Sequence, residues 1–175
     1  MRCWTAMLVC LLSVALLPAQ ERKREPLTEA QIERIRELGT DPGERIKFYA
    51  KILDERADTI KGLSNRAKSA ARGRRLDDEL QDFTALMDEL GSNLDAYSER
   101  KADLRKSLKL LNEAAPRWVG ILRALAGEPG FDLARKEAIE SGEELADQAA
   151  RLLTEQTEYF NLHKDEQGQQ RAEPK

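Results

Sequence analysis

Three runs of carboxylates, Asp54-Glu55-Asp58, Asp77-Asp78-Glu79-Asp82 and Glu143-Glu144-Asp147, are the densest sets of side chains here that could bind a metal or pass protons. Oxygen ligands of this kind suit calcium or magnesium, and two carboxylates in a cleft can divide the work of general acid and base. None of the runs has the glycine-turn spacing of a calcium loop. Each lies among lysines and arginines at helical spacing, which predicts solvated helix faces with paired charges. The only histidine, His163, has Phe160 three residues before it, whereas a di-iron bundle needs a glutamate there. Zinc-protease, haem and histidine-dependent hydrolase chemistry lack their residues for the same reason. His163 is expected at a helix end, where its position complements the dipole. No catalytic residue, cofactor or metal site is expected, and the chain reads as a non-enzyme.

The one local charge asymmetry is cationic. Lys61, Arg66, Lys68, Arg72, Arg74 and Arg75 fall between Thr59 and Leu76, a stretch without an acid. At the tip of a helical hairpin they would form a basic knob that keeps a turn soluble and complements a helix C-terminus, or that touches an anionic envelope component or an acidic partner. Nucleic acid is not expected, because no aromatics are interleaved for base stacking. The whole chain has 29 basic and 32 acidic residues, with both signs mixed throughout, so no global field selects a partner.

The elements that must carry these residues are helices. Residues 1–19 read as a secretory signal: Arg2 supplies the charge, Trp4 to Leu17 the apolar run and Pro18-Ala19 a small-residue exit. The run is shorter than the roughly 20 apolar residues a spanning helix needs, so no transmembrane span is expected after cleavage, and the protein is expected to be exported, periplasmic or extracellular. Both cysteines, Cys3 and Cys10, lie inside that segment, which would leave the mature chain without thiol chemistry.

Residues 20–40 read as a charged linker followed by a short helix. Thr28-Glu29-Ala30-Gln31 fits a capping box with Leu27 placed as a staple, and Asp41-Pro42-Gly43-Glu44 is a second such start. From there Ile46, Tyr49, Leu53, Ile60, Leu63, Ala67 and Ala70 predict one helix to about Arg72, with Arg56 in a seam position and Gly73 at the turn. Leu76, Phe83, Leu90, Tyr97, Leu104 and Leu111 repeat every seven residues beside Leu80, Met87, Leu94, Lys101, Leu108 and Ala115. This heptad pattern predicts one helix over 74–115, about 60 Å long, carried through Gly91. Arg56 and Lys101 are expected to snorkel to the edge.

Pro116 is expected to end or kink that helix, with a short apolar one around Trp118 after it and a turn at Gly127-Glu128-Pro129-Gly130. A last helix follows over about 132–163, where Gly142, Ala146 and Ala149 would let a neighbour approach closely. Residues 41–164 then form the bundle domain and 165–175 a disordered polar tail. The fold class is all-α: an elongated antiparallel, coiled-coil-like helical bundle of three long helices plus short accessory ones.

The five residues Leu27-Thr28-Glu29-Ala30-Gln31 resemble the LTxxQ motif of small periplasmic helical proteins of the envelope-stress chaperone and metal-resistance type. The resemblance implies an exported helical holdase that works without ATP. Members of that family carry the motif twice, whereas Leu153-Thr154-Glu155-Gln156 is one residue short of the spacing. Mature-chain histidine and methionine, which the metal-sensing branch would want, are limited to His163 and Met87. The residues by themselves point to a non-enzymatic exported protein acting through helix-face contacts, with another protein or with itself, or structurally in the cell envelope. Holdase action is the alternative, and a carboxylate-dependent enzyme the second alternative.

Overall fold

The computed structural model describes residues 25–169. The expected signal at 1–19 and the end of the polar tail lie outside them. The short helix α1 (Glu29–Glu37) begins at the first predicted cap: the Thr28 hydroxyl accepts from the Gln31 backbone N–H, and the Gln31 side chain accepts from the Thr28 backbone N–H. Helix α2 (Pro42–Ser64) begins at the second, with Asp41 accepting from the Glu44 N–H and proline in the first turn, where no backbone donor is lost. Helices α3 (Ala70–Glu99), α4 (Arg105–Ala124) and α5 (Asp132–Leu162) complete the fold. The class is all-α, as the sequence implies, and the helices pack into one bundle.

The junctions fall elsewhere than expected. Helix α2 stops at Ser64 instead of running to Arg72, because Asn65 closes it and Ser69 caps the next helix by accepting from the Arg72 N–H at 3.1 Å. Ala67 and Ala70, which continued the apolar rows, are exposed. Gly73 is not the turn; it lies in the first turn of α3, bonded to the Ser69 carbonyl. Both heptad rows are buried from Leu76 to Ala115 except at Lys101, yet the chain reverses at Arg100–Leu104 and not at Gly91. There the Lys101 N–H bonds to the Ser98 carbonyl and the Ala102 N–H to the Tyr97 carbonyl, with Lys101 at φ 58°. That pairing is the Schellman closure of a helix, with lysine in place of the usual glycine.

Pro116 neither ends nor breaks α4. The helix runs on to Ala124 because Leu111, Ala115, Trp118 and Leu122 are all buried on one face across it, and that burial outweighs one lost backbone bond. The tail does not loosen at residue 165 either. A 3-10 turn over Lys164–Glu166 brings Gly168 and Gln169 back to the α3–α4 reversal, where the Gly168 N–H bonds to Asp103 and the Asp103 N–H to the Gln169 carbonyl.

Four helices of 20 to 31 residues therefore replace three long ones. Helix α2 packs beside α3 and α4, and α5 beside the same two, so α3 and α4 sit on a diagonal. Phe83 and Trp118 meet edge to face across that diagonal, with ring centroids 6.1 Å apart. Because the α3–α4 reversal crosses the core, the neighbours are not all antiparallel. Helix α2 meets α4 at Gly43–Ser107 and again at Asp54–Trp118, so those two run parallel. Helix α3 meets α5 at Asp88–Ser141 and at Asp95–Gln148, also parallel. The pairs α2/α3 and α4/α5 are antiparallel, as Tyr49–Glu89 with Arg56–Glu79 and Leu104–Gln156 with Arg123–Glu143 require.

Candidate interaction surfaces

One or two members of each acidic run tie helices together, while Glu55 and Asp77 bond within their own helices. Asp54 of α2 accepts from the indole N–H of buried Trp118 at 2.7 Å and from Arg117 at 2.5 Å, both on α4. Glu79 and Asp82 of α3 hold Arg56 of α2 at 2.8 and 3.1 Å, and Arg56 also donates to the Pro26 carbonyl. Arg56 thus joins α2, α3 and the segment before α1 instead of snorkelling to the edge. Glu143 pairs with Arg123 of α4. Among the described residues no three histidine, cysteine, aspartate or glutamate side chains are grouped so as to hold a metal ion. His163 caps α5, with its ring stacked 4.2 Å from Tyr159, the helix-end position its sequence context implies.

Other polar side chains have roles that no local pattern announces. Gln156 is buried in α5; its amide oxygen accepts from the Leu104 N–H at 2.8 Å and its NH2 donates to the Ala102 carbonyl at 3.0 Å. It satisfies the backbone of the reversal that places α3 and α4 on the diagonal. Asp103 closes the same region. Its carboxyl is held below the usual aspartate range chiefly by hydrogen bonding from Arg105, with the Gly168 N–H adding to the effect against the cost of burial. On α2, the buried Tyr49 hydroxyl is pushed well above its ordinary value, first by burial and then by its bond to Glu89.

The six cations do gather at one end of the bundle, but not all face water. Lys61, Arg66, Lys68, Arg74 and Arg75 are exposed around the α2–α3 turn. Arg72 is only 7% exposed and turns inward, donating twice to Glu128 at 2.6 and 2.7 Å and once to the Ser64 carbonyl. Lys68 reaches Glu128 as well, at 3.3 Å. Hydrogen bonding from Arg72 is the main cause of a lowered Glu128 carboxyl. This arrangement joins the α2–α3 and α4–α5 turns through residues 56 positions apart, a pairing that a charge count cannot reveal.

Each parallel pair leaves a groove. That between α3 and α5 has a volume of about 560 Å³ and is lined by Asp88, Asp95, Glu144, Asp147, Gln148 and Arg151 above Met87 and Leu145. Gln148 spans it, donating to the Gly91 carbonyl and to Asp95. Between the C-terminal halves of α2 and α4 lies one of about 420 Å³ with Ile121, Ala124, Leu125 and Gly120 on one wall and Lys61, Ser64 and Asn65 on the other, Arg117 standing at its inner end. Trp118, Leu122 and Leu125 are largely buried, so of the larger apolar side chains on that stretch of α4 it is Ile121 that offers most surface to the groove.

No helix among the described residues is long and apolar enough to cross a membrane. Comparison with protein-family models, curated proteins and solved structures finds no match to this chain. The class is thus defined by the fold alone, an all-α bundle with a short N-terminal helix.

Proposed function

We propose that this is an exported, non-catalytic binding protein that holds a protein partner against its helical faces. The observation that supports this reading is the use of its charged side chains. The acids best placed to do chemistry, Asp54, Glu79, Asp82 and Asp88, are each bonded to a residue of a neighbouring helix, while the groove between α2 and α4 keeps an apolar wall open to a partner. A catalytic carboxylate needs a cleft and an environment that poises its proton near the working pH; these acids spend their lone pairs on the fold. The exposed members of the basic stretch, Lys61, Arg66, Lys68, Arg74 and Arg75, supply a second contact for an acidic protein or an anionic envelope component.

The Leu27–Gln31 segment forms a helix cap, so the holdase alternative draws its support from that short motif alone. In-cell crosslinking of the chain, followed by identification of what it captures, tests the proposal. A binding protein yields a small reproducible set of partners, whereas a holdase yields a broad set and suppresses aggregation of an unrelated denatured client. No captured protein under conditions that crosslink the chain internally would defeat the reading.

A further inference from the structure

The groove between α2 and α4 has a chemistry that selects its occupant. Its wall on α4, formed by Gly120, Ile121 and Ala124 with buried Leu125 beneath, is apolar, and its other edge carries Lys61 and Ser64 with Arg117 at the inner end. The acids nearby on α2 are Asp54, committed to Arg117 and Trp118, and Asp58, one turn before Lys61. Beyond Lys61 the edge runs straight into the acid-free stretch through Arg66 and Lys68, both exposed. Two parallel helices with an open seam offer the shape of a helix-in-groove site, in which apolar anchors recur every three to four residues along the incoming helix.

Resting on the binding reading above, we propose that this groove takes an acidic amphipathic helix of a partner protein. Its apolar face lies on Ile121 and Ala124, over the largely buried Leu125, and its carboxylates face Lys61 and the α2–α3 turn. Charge complementarity sets orientation and speeds encounter, while the apolar anchors supply most of the affinity. Gly120 is the position that makes the groove accessible to such a helix. A Cβ built there meets nothing within 4 Å, so its missing side chain is not required by the bundle's own packing.

The test is fluorescence anisotropy with the full mature chain and a labelled synthetic helical peptide carrying glutamates on one face and leucines on the other. Two control peptides replace glutamate by lysine or scramble the faces at constant composition. The acidic amphipathic peptide binds, and each control binds at least about tenfold more weakly. Gly120→Trp fills the groove and weakens binding by about tenfold or more, with an unchanged circular-dichroism melt. Lys61→Glu with Arg66→Glu does the same by charge, which keeps the test valid if the tryptophan variant does not fold.

Equal binding of the three peptides, or binding indifferent to both variants, overturns the proposal. So does binding to phosphatidylglycerol vesicles that Gly120→Trp leaves intact while the peptide fails to bind, since the basic turn alone would then be the contact. A dimer in sedimentation equilibrium that Gly120→Trp dissociates makes a second copy the occupant and likewise overturns it. If peptide binding fails but the in-cell partner is still captured, the groove assignment falls and the binding reading stands; if capture itself fails, both fall.

Discussion

The two seams of this bundle both lie between parallel helices and differ in chemistry. Between α3 and α5 the groove of about 560 Å³ is crossed by polar bridges, Ser141 to Asp88 at 2.6 Å and Gln148 to Asp95 at 2.7 Å, and its rim is mainly acidic. Between α2 and α4 the bridges stop at Asp54, Arg117 and Trp118, and the half toward the α2–α3 turn is apolar on one side and cationic on the other. The open wall on α4 also differs from the bundle's core in how glycine is used. Gly142 on α5 is needed for packing in the core, since a Cβ there would come within 2.9 Å of Val119 on α4 and 3.5 Å of the Met87 sulfur on α3. Gly120 on α4 is bordered by empty space. Parallel neighbours therefore do not by themselves make a binding site; what matters is whether polar side chains from the same chain bridge the seam.

The comparison is broken most severely at its origin, the crossing that makes both pairs parallel. Gln156→Leu removes the partners of two backbone groups in the α3–α4 reversal, and leaving such groups buried and unpaired costs about 1–3 kcal/mol each. Urea unfolding should show a stability loss of about 3 kcal/mol; a loss near zero would mean that the reversal holds itself. A smaller effect separates the packed core from the open groove wall directly. Gly142→Leu overpacks the core where α5 meets Val119 of α4 and Met87 of α3, and should cost about 2–3 kcal/mol. Gly120→Leu on the groove wall should be neutral or stabilising by up to about 1 kcal/mol through helix propensity. Equal losses at the two glycines would remove the distinction between a packed helix contact and an open groove wall.

The smallest effect concerns the end of the bundle far from the basic turn. The Asp103 carboxyl lies below its unfolded value because its charged form is bonded to Arg105 and the Gly168 N–H. A depressed acid contributes stability that is fully present above its unfolded pKa, about 4, and that disappears as the pH falls through the lower folded value. Amide exchange at Gly168 should therefore speed up as the pH drops below about 4, once corrected for intrinsic rates. In Asp103→Asn this acid-specific change should be lost. An unchanged profile in the variant would assign the effect to other acids, Glu128 and Asp132 among them, whose carboxyls are lowered as well.

What the sequence made legible was burial, and what it concealed was connectivity. The heptad rows from Leu76 to Ala115 mark buried positions faithfully because burial depends on side-chain type. They cannot mark the reversal, because Tyr97, Leu104 and Leu111 keep a seven-residue spacing across it. The trace of the turn is Lys101, the one polar residue in those rows, which occupies a left-handed position and lies over the Tyr159 ring at 5.0 Å. Ala67 and Ala70 extended the α2 pattern falsely because alanine suits an exposed helix as well as a core, and Ser69 was the cap that the pattern overran. The basic stretch was visible as charge, but Arg72 was drawn inward by Glu128, whose partnership depends on the tertiary fold.

The central claim is that the open α2/α4 seam, not the bridged α3/α5 seam, receives an acidic amphipathic partner. A photo-crosslinking residue placed at Gly120 or, separately, at Ser92 on the rim of the other groove tests it in the native cell. The account predicts that Gly120 captures a protein whose crosslinked segment, read by mass spectrometry, is acidic on one helical face and apolar on the other, and that Ser92 captures none. Capture at Ser92 alone, or of the same segment at both positions, would contradict it.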